Sequence, residues 1–371
     1  MAVIRDMMPA FELFQPASID EALSLLDQHK SEAWVMGGGM DSFDWLKDRT
    51  KRPGVVVDLS QVAELRGIKE VNGGLEIGAT TTLTEVVNHA GIQDKFKILA
   101  EAAELVASPQ IRNQATLAGN VSQDTRCWYY RSGWSCYRAG GNICYADTPT
   151  AINREHAILQ QDRCVAVSPS DTAPALIALD AEFVIRSAGG ERVVKAEDYF
   201  LGPQIDIMHM TVLRPGELLT TIRIPATWAG AQFYFEKVRD RNVWDFPLVN
   251  VASAMKVSGT TISELRLAVG AVAARPLRLT AVEAAVAGKA RSEETASAAG
   301  ELAIAGATPH RLKNVETAII GKARNEETAD MAGKMAVEGA QTLRHNAYKV
   351  PLMRNLVKRA IRGGAGATWT S

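Results

Sequence analysis

Three of the chain's four cysteines fall within RCWYYRSGWSCYRAGGNIC, residues 126–144, and the fourth, Cys164, follows shortly after. Thiolates are soft metal ligands and redox groups, so four gathered in one stretch point to a metal site or an electron-transfer centre. Between Cys127, Cys136, Cys144 and Cys164 lie gaps of eight, seven and nineteen residues. These differ from the tight C-x2-C pairs of zinc ribbons and bacterial ferredoxins, so spacing alone leaves zinc, iron-sulfur and purely structural readings open. Arg126, Arg131 and Arg138 stand among the thiols. They suit charge compensation of an anionic centre, and equally an exposed loop or a partner surface.

Three other stretches can carry chemistry. In WVMGGGMDSFDWLK, the glycines let backbone amides converge on an anion such as a diphosphate. The GxGxxG spacing of a dinucleotide fold is missing, and an isolated GGG is more often a plain tight turn. PQIRNQATLAGNVSQ offers small residues for close approach and the amide of Asn120, or simply a loop with a helix cap. In SPSDTAPALIALDAEF, Ser168, Ser170 and Asp171 suit hydroxyl recognition or a helix N-cap equally well. The six histidines, His29, His89, His156, His209, His310 and His345, are scattered, and none is singled out as a catalytic base.

The elements that must position these residues alternate between helix and strand. SIDEALSLLDQH carries a helical apolar stripe after the cap candidate Ser18, AWVMGGGMD reads as a buried strand entering a glycine turn, and GVVVDLS as a second strand. IKEVNGGLEIGATTTLTEVV predicts a hairpin about Asn72-Gly73 and then a helix opened by a Thr82–Glu85 capping box. AEFVIRS, LLTTIRIP, LVNVASAMKV and ELRLAVGAV read as strands, with turns at Gly189-Gly190 and Pro215-Gly216. This is an α+β pattern, with a domain boundary expected within ATWAGA, residues 226–231. Residues 282–340 contain a tandem helical duplication, the copy from Val282 matching that from Val315 at a spacing of 33 residues. Both copies are alanine-rich, with a break at Gly-Lys, and packed helices are the plainest reading.

Length and composition bound the answer. The 371 residues, 47% apolar, suffice for two or three domains. With 41 basic and 42 acidic residues there is no positive field for a nucleic-acid backbone or an anionic bilayer. No stretch has the length of a membrane span, and the N-terminus lacks a secretory signal, so a soluble protein is expected.

Taken in order, GGGMD, IRNQATLAGN, the cysteine loop, SPSD and KVRDR resemble the flavoprotein subunit of the xanthine dehydrogenase and aldehyde oxidoreductase family, the molybdenum hydroxylases. The resemblance extends to FQPASIDEALSLL, LEIGATTTLTEV, LRPGELLTTIRIP and NAYKVPLMRNLVKRAI, nearly the whole chain. It implies an α+β fold: a vanillyl-alcohol-oxidase-type FAD-binding domain of two lobes over residues 1–228, with the cysteine loop at 122–165, then a carbon monoxide dehydrogenase flavoprotein-like C-terminal domain over 229–371.

The same resemblance assigns the first FAD diphosphate loop to Met36, Gly37, Gly38, Gly39, Met40, Asp41, Ser42 and Phe43. Met40 stands where relatives usually have Thr, which removes one hydroxyl contact but leaves the backbone amides. The second loop falls on Thr116, Ala118, Gly119, Asn120 and Val121. Ser170 and Asp171 match the contact to the flavin's polyol chain, and Lys237 and Arg239 the basic segment near the isoalloxazine edge. The periplasmic aldehyde oxidoreductase and 4-hydroxybenzoyl-CoA reductase branches insert a cysteine loop that ligates a 4Fe-4S cluster, and Cys127, Cys136, Cys144 and Cys164 fit that pattern.

By resemblance, the chain is therefore an electron relay carrying FAD and a 4Fe-4S cluster, with no catalytic residue of its own. Its implied partners are a large molybdenum-cofactor subunit that oxidises an aldehyde or heteroaromatic substrate, a small 2Fe-2S subunit, and an external acceptor. A free-standing FAD oxidase and a flavoprotein with structural zinc are the competing readings. Cytoplasm is the default location, with periplasmic co-export through a partner's twin-arginine signal as the alternative.

Overall fold

A computed structural model describes residues 8–148, 150–305, 342–343 and 345–362, and it divides into three sheets. In the first lobe, β1 (Glu12–Phe14), β2 (Ala33–Met36) and β3 (Val55–Asp58) run parallel in the order β1-β3-β2. The central β3 is buried along its length, and the helix Ile19–His29 covers it by packing Ala22, Leu23 and Leu26 on Val55 and Val57. Ser18 starts that helix, its hydroxyl accepting the Glu21 amide at 3.2 Å. The expected buried strand at AWVM is instead a half-exposed sheet edge, with β3 on one side only. Val35 of that edge strand lines the cleft described below.

The second lobe is an antiparallel sheet of β4 (Ile68–Val71), β5 (Gly74–Gly78), β6 (Glu182–Ser187), β7 (Gly190–Lys195) and β8 (Leu218–Ile224), ordered β4-β5-β8-β6-β7. Asn72 and Gly73 have φ of 51° and 78°, the two positive values that a tight two-residue hairpin turn requires. Ile77, Phe183 and Ile222 of the sheet pack with Leu99 and Leu176 from helices on one face. The helix Leu83–Asn88 opens with a capping box, the Thr82 hydroxyl accepting the Glu85 amide while Glu85 accepts the Thr82 amide.

β9 (Gln232–Val238), β10 (Val249–Ser258), β11 (Thr261–Gly270) and β12 (Leu277–Arg278) form the third sheet, antiparallel and ordered β12-β11-β10-β9. The period of two on β10 decides what touches what. Val249, Val251 and Met255 face the C-terminal helices through Ala299, Leu356 and Val357, whereas Ala252 and Ala254 join the second lobe's core. Alanine on that face lets the second lobe's helices sit close to the sheet.

The first repeat copy forms the helices Thr280–Val286 and Glu293–Ala305, broken at Gly288, where φ is 76°. The copy from Val315 lies outside the described residues. Among the described residues, no helix is long and apolar enough to cross a membrane.

Candidate functional site

A cleft of about 580 Å³ opens where the two glycine-bearing loops meet, within the size range of small-molecule sites. Gly37, Gly38, Gly39, Met40, Asp41, Ser42 and Phe43 line one wall, and Thr116, Gly119 and Asn120 another. The reason for glycine is steric. A Cβ on Gly38 would sit 1.7 Å from the Gln114 carbonyl oxygen, and one on Gly37 or on Gly119 2.8 Å from Thr116 Oγ1. Gly39 adds a φ of 77°. Thr116 caps the helix Leu117–Ser122, accepting the Gly119 amide at 3.1 Å, and backbone bonds from Leu83 to Ala115 and from Leu117 to Thr81 seat the second loop on the second lobe.

Of the residues expected at the site, Asp171 also lines the cleft, whereas Met36, Ala118, Val121 and Ser170 do not. Ser170 Oγ donates to Asn120 Oδ1 at 2.7 Å and accepts the Ala173 amide, so it caps a helix and orients Asn120. Lys237 and Arg239, expected beside the isoalloxazine edge, do not line the cleft itself; Lys237 lies against its lining residue Asp171. The Lys237 ammonium is buried and donates to Asp171 Oδ2 at 2.6 Å and to the carbonyls of Leu105 and Asp245. Those three bonds use all its protons. Arg239 bonds the same Leu105 carbonyl. Burial pushes the Asp171 carboxyl up, against the pull of Lys237 and Asn250.

The cationic residues that do reach the cleft are Lys51 and Arg126, which sequence reasoning did not assign to it. Burial lowers the Lys51 pKa, partly offset by Asp124. Trp34, Trp45, Met208, Met210, Trp244 and Phe246 supply apolar and aromatic wall. Trp34 and Trp45 flank the first glycine loop within one stretch, whereas Met208, Met210, Trp244 and Phe246 come from distant segments that no local signal announced.

Beside this cleft the cysteine loop is latched to the first glycine loop. Asp41 Oδ1 accepts from Arg126 Nη1 at 2.9 Å and from Arg131 Nη2 at 2.8 Å, while Oδ2 accepts from Trp45 Nε1 at 3.0 Å. Arg131 also lies 3.6 Å from the Trp45 ring centroid. Trp45 and Tyr130 pack edge to face at 5.2 Å, and both pack against Cys136. Arg138, buried, pairs with Asp124 at 2.8 Å.

The four cysteines are all free thiols. Cys127 and Cys144 pack in one apolar cluster with Val165, and Cys127 reaches the cluster that holds Cys136. Burial pushes the Cys127 thiol up to about 12, with Cys164 and Cys144 adding to the shift as nearby thiols. Cys164 rises to about 11, again mainly by burial, opposed by Arg138 and reinforced by Cys144 and Cys136. Among the described residues, no three His, Cys, Asp or Glu side chains converge on a single ion position.

His156, one of the scattered histidines, proves to belong here: its Nε2 is 3.2 Å from Cys127 Sγ. Burial lowers its pKa to about 4. A second cavity of about 410 Å³ adjoins the first, sharing Arg126, Trp244 and Phe246 and having Cys127 and His156 in its wall.

Comparison with known proteins shows the family. Residues 9–227 match the FAD-binding domain of molybdopterin dehydrogenases, and residues 233–309 the C-terminal domain of carbon monoxide dehydrogenase flavoproteins. The chain is 31% identical to the carbon monoxide dehydrogenase medium chain of Hydrogenophaga pseudoflava over 80% of its length and 87% of that protein's. It is 33% identical to the aldehyde oxidoreductase FAD-binding subunit PaoB of Escherichia coli over 70% of its length and 81% of the relative's. Among solved structures, the carbon monoxide dehydrogenase of H. pseudoflava superposes with a TM-score of 0.70 at 29% identity, covering 96% of this chain and 97% of that one.

Proposed function

The chain belongs to the family of FAD-binding medium subunits of the molybdenum hydroxylases, and from that premise we propose that it relays electrons between an FAD in the cleft and a 4Fe-4S cluster on Cys127, Cys136, Cys144 and Cys164. The observation that carries this reading is the latch. Arg126 and Arg131, either side of Cys127, hold Asp41 of the first glycine loop, so the thiols stand beside the cleft with Trp45 and Tyr130 between.

The residues fit both groups. For FAD, the glycines let the two loops approach more closely than any Cβ would allow, Gly37–Phe43 and Thr116–Asn120 would hold the diphosphate, and Asp171 the polyol. When bound, FAD exchanges two electrons with one partner and single electrons with another. For the cluster, a cubane takes one thiolate per iron, so it needs four thiols arranged around a shell rather than at one point. Arg138 beside Cys164 supplies positive charge to that shell. Trp45 and Tyr130 exclude water from the space between the two sites, and the Lys237–Asp171 pair fixes the cleft floor.

We take the domain junction to fall within residues 226–231; the short helix Ala226–Trp228, which leads into β9, supports that reading. In keeping with its similarity to medium chains and FAD-binding subunits, the complex would add a large molybdenum-cofactor subunit, a small 2Fe-2S subunit and an external acceptor. On its neighbouring thiols we assign the chain to the 4Fe-4S branch of the family.

The test is the visible spectrum of the anaerobically purified chain with iron and acid-labile sulfide assays, repeated on Cys136→Ser. Flavin bands with about four iron per chain, the iron but not the FAD lost in the variant, are expected. Flavin without iron would refute the cluster, and an absence of flavin would refute the site assignments altogether.

A further inference from the structure

We propose that His156 is a positioning residue for the cysteine centre: its imidazole donates a hydrogen bond from Nε2 to the Cys127 sulfur, orienting that ligand and raising the centre's reduction potential. The inference rests on the cluster reading above and goes beyond it, to a residue outside the four thiols.

The direction of the bond follows from chemistry. His156 Nε2 lies 3.2 Å from Cys127 Sγ. A sulfur bound to iron carries no proton and can only accept, so the nitrogen must be the donor whatever charge the ring bears. Among the described residues, His156 Nδ1 is buried without a hydrogen-bond partner. In the neutral ring, placing the proton on Nε2 leaves a bare lone pair at Nδ1. The opposite tautomer would bury an unpaired N–H there and set two lone pairs against each other at the sulfur. Both ring nitrogens therefore favour the donor role.

The rest of the fold holds the ring at that sulfur. Asn346 Nδ2 donates to the carbonyls of His156 and Ala157, at 3.2 and 2.9 Å, and Tyr348 Oη donates to that of Arg154 at 3.2 Å. Lys349 Nζ donates to that of Glu155 at 2.8 Å. Four successive carbonyls are thus gripped by one C-terminal segment, and the His156 amide is tied to the Asn153 carbonyl. A histidine so clamped, only 3% exposed, is preorganised toward the Cys127 sulfur. Hydrogen bonds to cluster sulfurs stabilise the reduced, more negative state and so raise the potential.

The experiment uses the purified full chain with its iron. Wild type carrying 15N-histidine, reduced and examined by pulsed EPR, should show a weak coupling to one imidazole nitrogen and to an exchangeable proton. Potentiometric EPR titration of His156→Leu should show a lower midpoint potential with iron content kept, and His156→Asn should recover part of the shift. An unchanged midpoint in His156→Leu overturns the proposal. If that variant loses its iron, the wild-type spectrum decides, and absence of the 15N coupling there overturns it. Absence of iron from wild type refutes the cluster itself, an outcome separate from a loaded cluster indifferent to His156.

Discussion

Arg131 Nη2 and Asp41 Oδ1 meet at 2.8 Å, joining the cysteine loop to the first glycine loop across 90 residues of chain. Asp41 lines the cleft, and its unscreened charge would repel an anionic diphosphate. Two guanidiniums of the cysteine loop and the indole N–H of Trp45 take up that charge. Arg131→Leu is accordingly expected to weaken FAD binding tenfold or more, about 1.4 kcal/mol. Flavin fluorescence titration of the apoprotein measures it, and an unchanged Kd would show the latch to be irrelevant to the cofactor.

Gly38 allows no side chain. With the Gln114 carbonyl 1.7 Å from where a Cβ would stand, Gly38→Ala must separate the two loops. The expected result is loss of most bound flavin together with destabilisation of about 1–3 kcal/mol. Flavin-to-protein ratio and urea unfolding report the two effects separately, and full flavin content at wild-type stability would contradict the tight approach.

Breaking the buried pair under the cleft should be costly. Lys237→Met leaves the Asp171 carboxyl buried with Asn250 as its remaining side-chain partner, and loss of about 3–5 kcal/mol is expected. Lys237→Met combined with Asp171→Leu should recover part of that, because no charge is left unpaired. A double variant no more stable than the single one would argue against the pair as the source of the cost.

Lys349 should make stability depend on pH. Burial lowers its pKa from 10.5 to about 7 in the folded chain, while its ammonium bonds the Glu155 and Ala271 carbonyls. Between about pH 7 and 10.5 the unfolded chain binds a proton that the folded one does not, so this residue's contribution rises with pH through that window. Below pH 7 both states are protonated and the burial cost is fully present. At about 1.4 kcal/mol per unit, the window is worth up to about 5 kcal/mol. The buried thiols act in the opposite sense at higher pH, so the quantity to measure is wild type minus Lys349→Met in urea at pH 7, 8 and 9. A flat difference would exclude the effect.

Much of the fold was legible because its signals are local. The hairpin at Asn72-Gly73, the Ser18 cap and the Thr82–Glu85 box each depend on residues within a few positions, and each forms where the sequence places it. AWVM was harder: its apolar run reads as buried, yet strand order leaves β2 at the edge of its sheet, beside a cleft that the run itself does not encode.

By itself, the sequence determined the family, the α+β elements, the two glycine loops and the four thiols, since each rests on residue types in short motifs whose chemistry travels with them. Only the tertiary structure decided how those motifs are used. It turned Lys237 inward onto Asp171, gave Asp41 to the arginines of the cysteine loop, and brought His156 to Cys127 across 29 residues. The physical reason is that a charged or polar side chain has several partners of similar energy available, and which one it takes is set by what packing leaves within about 3 Å of it.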